Sequence, residues 1–228
     1  MPKIAPVDLV VPVKQLPAAK SRLRGAADGG LGEPAAHARL ALALAHDTVA
    51  AVRGCPAVRH LLAVSPDPAV AAELAAVGVE VVPDGRVTGL NAAFRRGAAV
   101  LRRRDPDAVV GALQADLPAL RPDELCAALD EALRLFADDA AVTRAFCADA
   151  EGSGTTLLLA APGTPLDPRF GADSAARHAA SGAGALTGEL AGLRRDVDTI
   201  DDLRGAADLG LGVHTRAVLT RSASGSPG

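Results

Sequence analysis

The stretch DLVVPVKQLPAAKSRLR, residues 8–24, decides how the rest of the chain is read. Its first half belongs to a short apolar, β-branched run (VDLVVPV, 7–13), the pattern of a buried strand. Its second half carries Lys14, Lys20, Ser21 and Arg22, and lysine otherwise occurs only at position 3. A strand that runs into a basic loop at the start of an α/β domain sets cations and free backbone N–H groups at the carboxyl end of a sheet. Polyphosphates are held in such places. The sequence is no P-loop, since GxxxxGK[ST] is absent, and no GxGxxG follows the strand, as a dinucleotide-dependent oxidoreductase would require. From Lys14 to about Pro34 the chain is Pro, Ala, Gly and charge without periodicity. Loops beyond about 15 residues in compact domains are functional or disordered, and the basic content favours function.

Outward from this stretch, strands and helices alternate. Helices are predicted at 37–53, 67–78, 89–104, 121–137, 173–182 and 198–207, and strands at 60–65, 79–84, 107–116, 139–145, 154–161 and near 193–197. This order predicts one α/β domain over 1–221 with a mostly parallel central sheet flanked by helices, and a disordered polar tail at 222–228.

The 228 residues are 49% hydrophobic but include only four Phe and no Trp or Tyr, so the core is Ala, Val and Leu. No aromatic platform exists for stacking bases, and a net charge of -3 argues against nucleic acid as a partner. The three cysteines, Cys55, Cys126 and Cys147, are far apart and lack a Cys-x-x-Cys pair. Reduced thiols in a cytoplasmic protein are expected, without a disulfide framework or a zinc knuckle. No apolar run approaches the roughly 18 residues of a membrane span, and MPKIAPVDLVV lacks the features of a signal peptide.

Four further segments carry candidate chemistry. In GALQADLPAL (111–120), Asp116 falls where a strand ends and Pro118 stops the ladder. A carboxylate there either caps the next loop or joins phosphates in holding Mg²⁺, an ion that needs few protein ligands. In RRDVDTIDDL (194–203), Asp196 and Asp198 alternate and would point the same way from an extended chain. Asp198 or Thr199 can cap the helix that follows, and either acid can be a second metal ligand meeting Asp116. In GSGTTLLLA and DPRFGADSAARH (152–160 and 167–178), Thr156 offers a hydroxyl near a strand start, Gly171 permits close backbone approach, and Asp173 or Ser174 opens a helix. Free N–H groups there suit a carboxylate or phosphate, while an ordinary Gly turn and cap explain the residues equally. His178 on that helix reads as structural rather than as a general base, and His37, His46, His60 and His214 form no metal spacing. In DGRVTGLNAAFRRG (84–97), Asn91 lies in a first helical turn, where an amide can read a nucleobase edge or simply enter the helix.

Taken in order, VPVKQLPAAKSRL, GLNAA, QADLPAL, GTTLLL, RFGADSAARH and DVDTIDDL make the chain resemble the phosphoenolpyruvate or 2-phospholactate guanylyltransferase family of coenzyme F-420 biosynthesis. The resemblance runs from residue 10 to about 205. It implies a Rossmann-like, GT-A-type nucleotidyltransferase fold, GTP as donor and Mg²⁺ as cofactor. Asp116 would be a metal ligand, with Asp196 the first choice for the second ligand and Asp198 the next. The triphosphate would fall to Lys14, Lys20 and Arg22 with Ser21, guanine to Asn91, and phosphoenolpyruvate to Thr156, Gly171 and Ser174. The expected products are enolpyruvyl-diphospho-5'-guanosine and pyrophosphate, the former taken up by a downstream transferase. Competing readings are 2-phospho-L-lactate or 3-phosphoglycerate as acceptor, a molybdenum-cofactor nucleotidyltransferase, and a non-catalytic nucleotide-binding paralogue. The glycine-rich stretch 25–33 matches nothing in the family pattern.

Overall fold

The computed structural model describes residues 6–14, 21–85 and 88–224, with side-chain environments to 221. Seven strands form one sheet: β1 (Val7–Pro12), β2 (Val58–Val64), β3 (Glu80–Val82), β4 (Val109–Leu113), β5 (Arg144–Ala148), β6 (Thr155–Ala160) and β7 (Gly184–Ala185). Their order is β3-β2-β1-β4-β6-β5-β7. Only β6 runs against its neighbours, β4 and β5. The helices are α1 (Pro34–Gly54), α2 (Pro68–Ala76), α3 (Leu90–Arg104), α4 (Pro122–Asp138), α5 (Ser174–Ala180), α6 (Ala191–Arg194), α7 (Ile200–Leu209) and α8 (Val213–Ser224).

All six residues of β1 are buried, and its side chains alternate between two cores. Leu9 and Val11 face a cluster with Val49 and Val52 of α1, Leu74 of α2 and Leu125 of α4. Val10 faces the other cluster, with Phe94 and Leu101 of α3. The missing side chain at Gly97 lets α3 approach the sheet closely: a Cβ there would lie 2.3 Å from Val10. Because α1 and α2 cover one face and α3 the other, the chain steps outward from β1 to β3 and then returns to place β4 on β1's free side. The order of strands reverses there, and a crevice opens at the carboxyl ends.

Hydrogen bonding shows this parting directly. The β1–β4 register ends at Val10 opposite Ala112. Beyond it the Val13 N–H turns to Val64 O of β2 at 2.9 Å, and the Gln114 N–H turns to Thr156 O of β6 at 2.9 Å. At the opposite end of the sheet, the buried Asp8 accepts from Arg59 Nε at 2.9 Å and Nη2 at 2.8 Å, and Arg59 also reaches Asp105 at 2.6 Å. That network compensates a buried carboxylate and fixes the closed end.

Several expectations need correcting. Residues 193–197 are not a strand. The segment ends helix α6 and continues extended, because Gly192 is wedged against Ala119 O, only 2.3 Å from where a Cβ would stand, and Val197 meets a single carbonyl rather than a ladder. The strand expected at 139–145 begins later, at Arg144. Helix α8 was not anticipated and runs to Ser224, into the stretch read as a disordered tail. Its signal is hidden because the acceptor for its first N–H groups is distant in sequence: Asp47 of α1 accepts from His214 N–H at 2.9 Å and Thr215 N–H at 2.8 Å. The cysteines are not all reduced. Cys55 and Cys126 form a disulfide, with Cα atoms 5.7 Å apart and a sequence separation of 71. Spacing gave no hint of it, since the end of α1 and the start of α4 meet only in the fold. A Cβ on Gly54 would come within 2.7 Å of Pro122.

Candidate active site

Three charged segments, distant in sequence, are anchored in one buried cluster by an apolar residue inside or just beyond the charges. Leu23 lies between Arg22 and Arg24, Val197 between Asp196 and Asp198, and Ala119 just beyond Asp116. All three are buried in one cluster with Leu40 and Leu44 of α1. The hydrophobic effect thus assembles the charges, whose own attraction through water would be weak.

Asp116 follows β4 and is 9% exposed. The Val197 N–H donates to the Asp116 carbonyl at 3.1 Å, which sets the 196–198 segment against it. Asp196 is half-buried and Asp198 exposed. The cap of α7 falls to Thr199, whose hydroxyl accepts from Asp202 N–H at 3.2 Å while Asp202 Oδ2 accepts from Thr199 N–H at 2.8 Å. Thr199, rather than Asp198, is therefore the cap. Among the described residues no group of three or more His, Cys, Asp or Glu could hold a metal ion. A pair of carboxylates, one of them nearly buried, fits Mg²⁺, which takes its remaining oxygens from phosphates and water.

The basic loop is described in part. Lys14 is exposed and lies two residues past the end of β1. Ser21 and Arg22 begin a short 3-10 turn, Ser21–Leu23, and Arg22 is exposed. Lys20 lies outside the described residues. The glycine-rich stretch that follows is a compact turn: Asp28 accepts from Gly32 N–H at 3.1 Å and Glu33 N–H at 2.5 Å, which closes it onto α1.

The remaining predicted residues lie in β6, at the start of α5 and just before it, and in the first turn of α3. Thr156 is fully buried and its carbonyl meets Gln114, two residues before Asp116. Ser174 is buried, and the adjacent Ala175 N–H donates to Ser153 O at 3.0 Å, tying α5 to the loop before β6. That loop needs Gly154, because the Asp149 carboxylate accepts its N–H at 2.7 Å and occupies the position a Cβ would take. Gly171 is exposed with φ +119°, a backbone angle that favours glycine.

Asn91 has a task the sequence did not suggest. Its amide nitrogen donates to Phe170 O at 3.0 Å and its oxygen accepts from Phe170 N–H at 2.8 Å. The side chain thereby clamps the residue next to Gly171, and only its second N–H is left for reading a base. His178 is structural, as expected. Burial, together with Arg169 and Arg177, lowers its pKa to about 4. The Arg169 N–H donates to Nε2 at 3.0 Å, so Nδ1 carries the proton and faces Thr155 Oγ1, also at 3.0 Å. Burial likewise pushes the Cys147 thiol up to about 11, so it is no nucleophile at neutral pH.

No family model matches the chain. Curated relatives do. A phosphoenolpyruvate guanylyltransferase of Geodermatophilus obscurus is 54% identical over 211 residues, covering 92% of this chain and 93% of the relative. One from Salinispora arenicola is 52% identical, covering 96% of each chain. The chain belongs to the phosphoenolpyruvate guanylyltransferase family. Solved structures share the fold of this family member. A nucleotidyl transferase from Methanothermobacter superposes with a TM-score of 0.58 at 17% identity, over 89% of this chain and 97% of the other. A protein from Mycobacterium tuberculosis H37Rv, solved as a manganese complex, gives 0.53 at 20% identity, over 90% and 98%. These likenesses establish the single-domain nucleotidyltransferase fold, and the family makes the protein an enzyme. No helix among the described residues is long and apolar enough to cross a membrane.

Proposed function

We propose that the protein transfers GMP from GTP to phosphoenolpyruvate, giving enolpyruvyl-diphospho-5'-guanosine and pyrophosphate in coenzyme F-420 biosynthesis in the cytoplasm. The observation that carries this reading is the burial of Leu23, Ala119 and Val197 in one cluster, which supports a common site for Arg22, Asp116 and the 196–198 acids in a chain 54% identical to a named member of the family.

The chemistry asks little of a protein base. A phosphate monoester has a second pKa near 6 and is largely dianionic at pH 7. One of its oxygens forms a bond to the α-phosphorus of GTP. The bond from that phosphorus to the β-bridging oxygen breaks, and pyrophosphate leaves with the electron pair. The barrier is the approach of two anions, so alignment and charge neutralisation supply the catalysis. Lys14, Lys20 and Arg22, with Ser21, take the triphosphate. Thr156, Gly171 and Ser174 take the acceptor, held by the Asn91 clamp on Phe170. Asp116, with Asp196 or Asp198, would hold Mg²⁺, which when bound neutralises and aligns the phosphates. A downstream transferase would take the labile product.

The test is pyrophosphate release by the purified protein with GTP, Mg²⁺ and phosphoenolpyruvate, run beside 2-phospho-L-lactate and 3-phosphoglycerate. Fastest release with phosphoenolpyruvate is expected. A preference for another of the three reassigns the acceptor, and silence with all of them returns the chain to a nucleotide-binding role without catalysis.

A further inference from the structure

Backbone polar groups around Asp116 bond to several different elements. Gln114 N–H goes to β6, Asp116 O receives Val197 N–H, and Pro118 O receives Gly212 N–H at 2.8 Å. The two groups immediately flanking Asp116 go to one side chain. Leu117 N–H donates to Thr48 Oγ1 at 2.9 Å, and the Thr48 hydroxyl lies 3.1 Å from Ala115 O. Thr48 is in the middle of α1 and fully buried.

A threonine inside a helix ordinarily spends its hydroxyl on the carbonyl four residues back. Thr48 is within reach of that partner too, Leu44 O at 3.0 Å. Its oxygen nevertheless accepts a proton from a segment distant in sequence, and its own proton is shared between Leu44 O and Ala115 O. A hydroxyl has one donor and two acceptor sites, so it can serve both peptides. Valine has the same shape and can serve neither.

We propose that Thr48 is a positioning residue for the metal site. Its hydroxyl fixes the peptide units on either side of Asp116 and so sets the direction in which the carboxylate faces a divalent cation. This rests on the reading of Asp116 as a metal ligand. Groups that orient ligands in this way cost about 10–100-fold in metal affinity or activity when removed.

The test uses the full chain with Thr48→Val, Thr48→Ser, Thr48→Cys and Asp116→Asn. Mn²⁺ binding in the presence of GTP is followed by the spin-resonance signal of free Mn²⁺, alongside the metal dependence of pyrophosphate release. Circular dichroism without metal checks the fold. Thr48→Val should weaken Mn²⁺ binding about 10–100-fold and raise the metal concentration for half-maximal turnover in step. Thr48→Ser, which keeps the hydroxyl, should stay near wild type. Should Thr48→Val fail to fold, Thr48→Cys, a weak hydrogen-bonder, takes its place against Thr48→Ser. Unchanged Mn²⁺ binding in the variant lacking the hydroxyl overturns the proposal, and so does equal impairment of Thr48→Ser, which would make packing of the methyl the cause. If Asp116→Asn binds Mn²⁺ and turns over normally, the metal reading itself is lost. If Asp116→Asn is impaired and Thr48→Val is not, only the role of Thr48 falls.

Discussion

The backbone N–H of Val197 donates to the carbonyl of Asp116 at 3.1 Å, joining a strand end to a segment made much later in the chain. The bond holds Asp116 against the segment in which Asp196 and Asp198 flank Val197. If the carboxylates there carry the cation, Asp116→Asn should lower turnover by about 10²–10³-fold, the scale of removing a preorganised charge contact, with the circular dichroism spectrum unchanged. Asp196→Asn and Asp198→Asn, measured side by side, separate the two candidates. The one that loses activity in step with Asp116→Asn is the second ligand, and wild-type rates in both leave Asp116 without a partner acid.

The Asn91 amide makes two hydrogen bonds to Phe170, next to Gly171. Losing both costs about 1–3 kcal/mol at roughly 0.5–1.5 kcal/mol each, which corresponds to about a 5- to 150-fold effect. Steady-state kinetics of Asn91→Ala should show that rise in the KM for phosphoenolpyruvate, with the KM for GTP little changed. A rise confined to GTP would instead restore the role of reading guanine.

His178 makes stability depend on pH. Its pKa falls from 6.5 to about 4 on folding, chiefly through burial. Above pH 6.5 both folded and unfolded forms are neutral, and the full stability is present. As pH drops from 6.5 toward 4, the unfolded chain binds a proton that the folded one refuses, so stability declines by up to about 3 kcal/mol. Denaturant melts at pH 7.5 and 4.5 should show the loss, and His178→Gln should flatten it by most of its extent. The residual slope belongs partly to His46, whose pKa burial and His214 also lower. An unaltered slope in the variant would place the titration elsewhere. Because His178 already uses both ring nitrogens, its ionisation should leave no limb near pH 6.5 in the turnover profile.

The bond between Cys55 and Cys126 closes a long loop between α1 and α4. Loops of that size are stabilised by about 4 kcal/mol in the chain-entropy account. Dithiothreitol, or Cys126→Ser, should therefore lower the melting temperature by several degrees. Alkylation under denaturing, non-reducing conditions should label Cys147 alone. Labelling of all three cysteines would show the pair unlinked.

Much of this was legible from the chain. The apolar runs of β1, β4 and β6 and the Pro-opened helices α2 and α4 announce themselves by period and punctuation. What stayed hidden is held by contacts across space. Asp47 and Thr48 are polar neighbours in the Ala- and Leu-rich run of α1, and that incongruity was the available signal. Nothing in their spacing says that one starts α8 and the other grips the turn at Asp116. The disulfide and the two-residue β7 carry no period at all. Asn91 was noticed for its amide, but its partner is a backbone group, which no side-chain motif reveals.

Adjacent residues of α1 thus fasten the acid turn and the first turn of α8, while Val197 and Gly212 supply that turn with two of its donors. On the ribosome, the sheet from β1 to β4 can form while these donors are still unmade. Asp116 would emerge into a partly built scaffold and wait, its carbonyl hydrated, for the strip that sets it. The enzyme would gain its competence abruptly and late in its own synthesis, so an arrested nascent chain could look folded by its sheet and yet be inert.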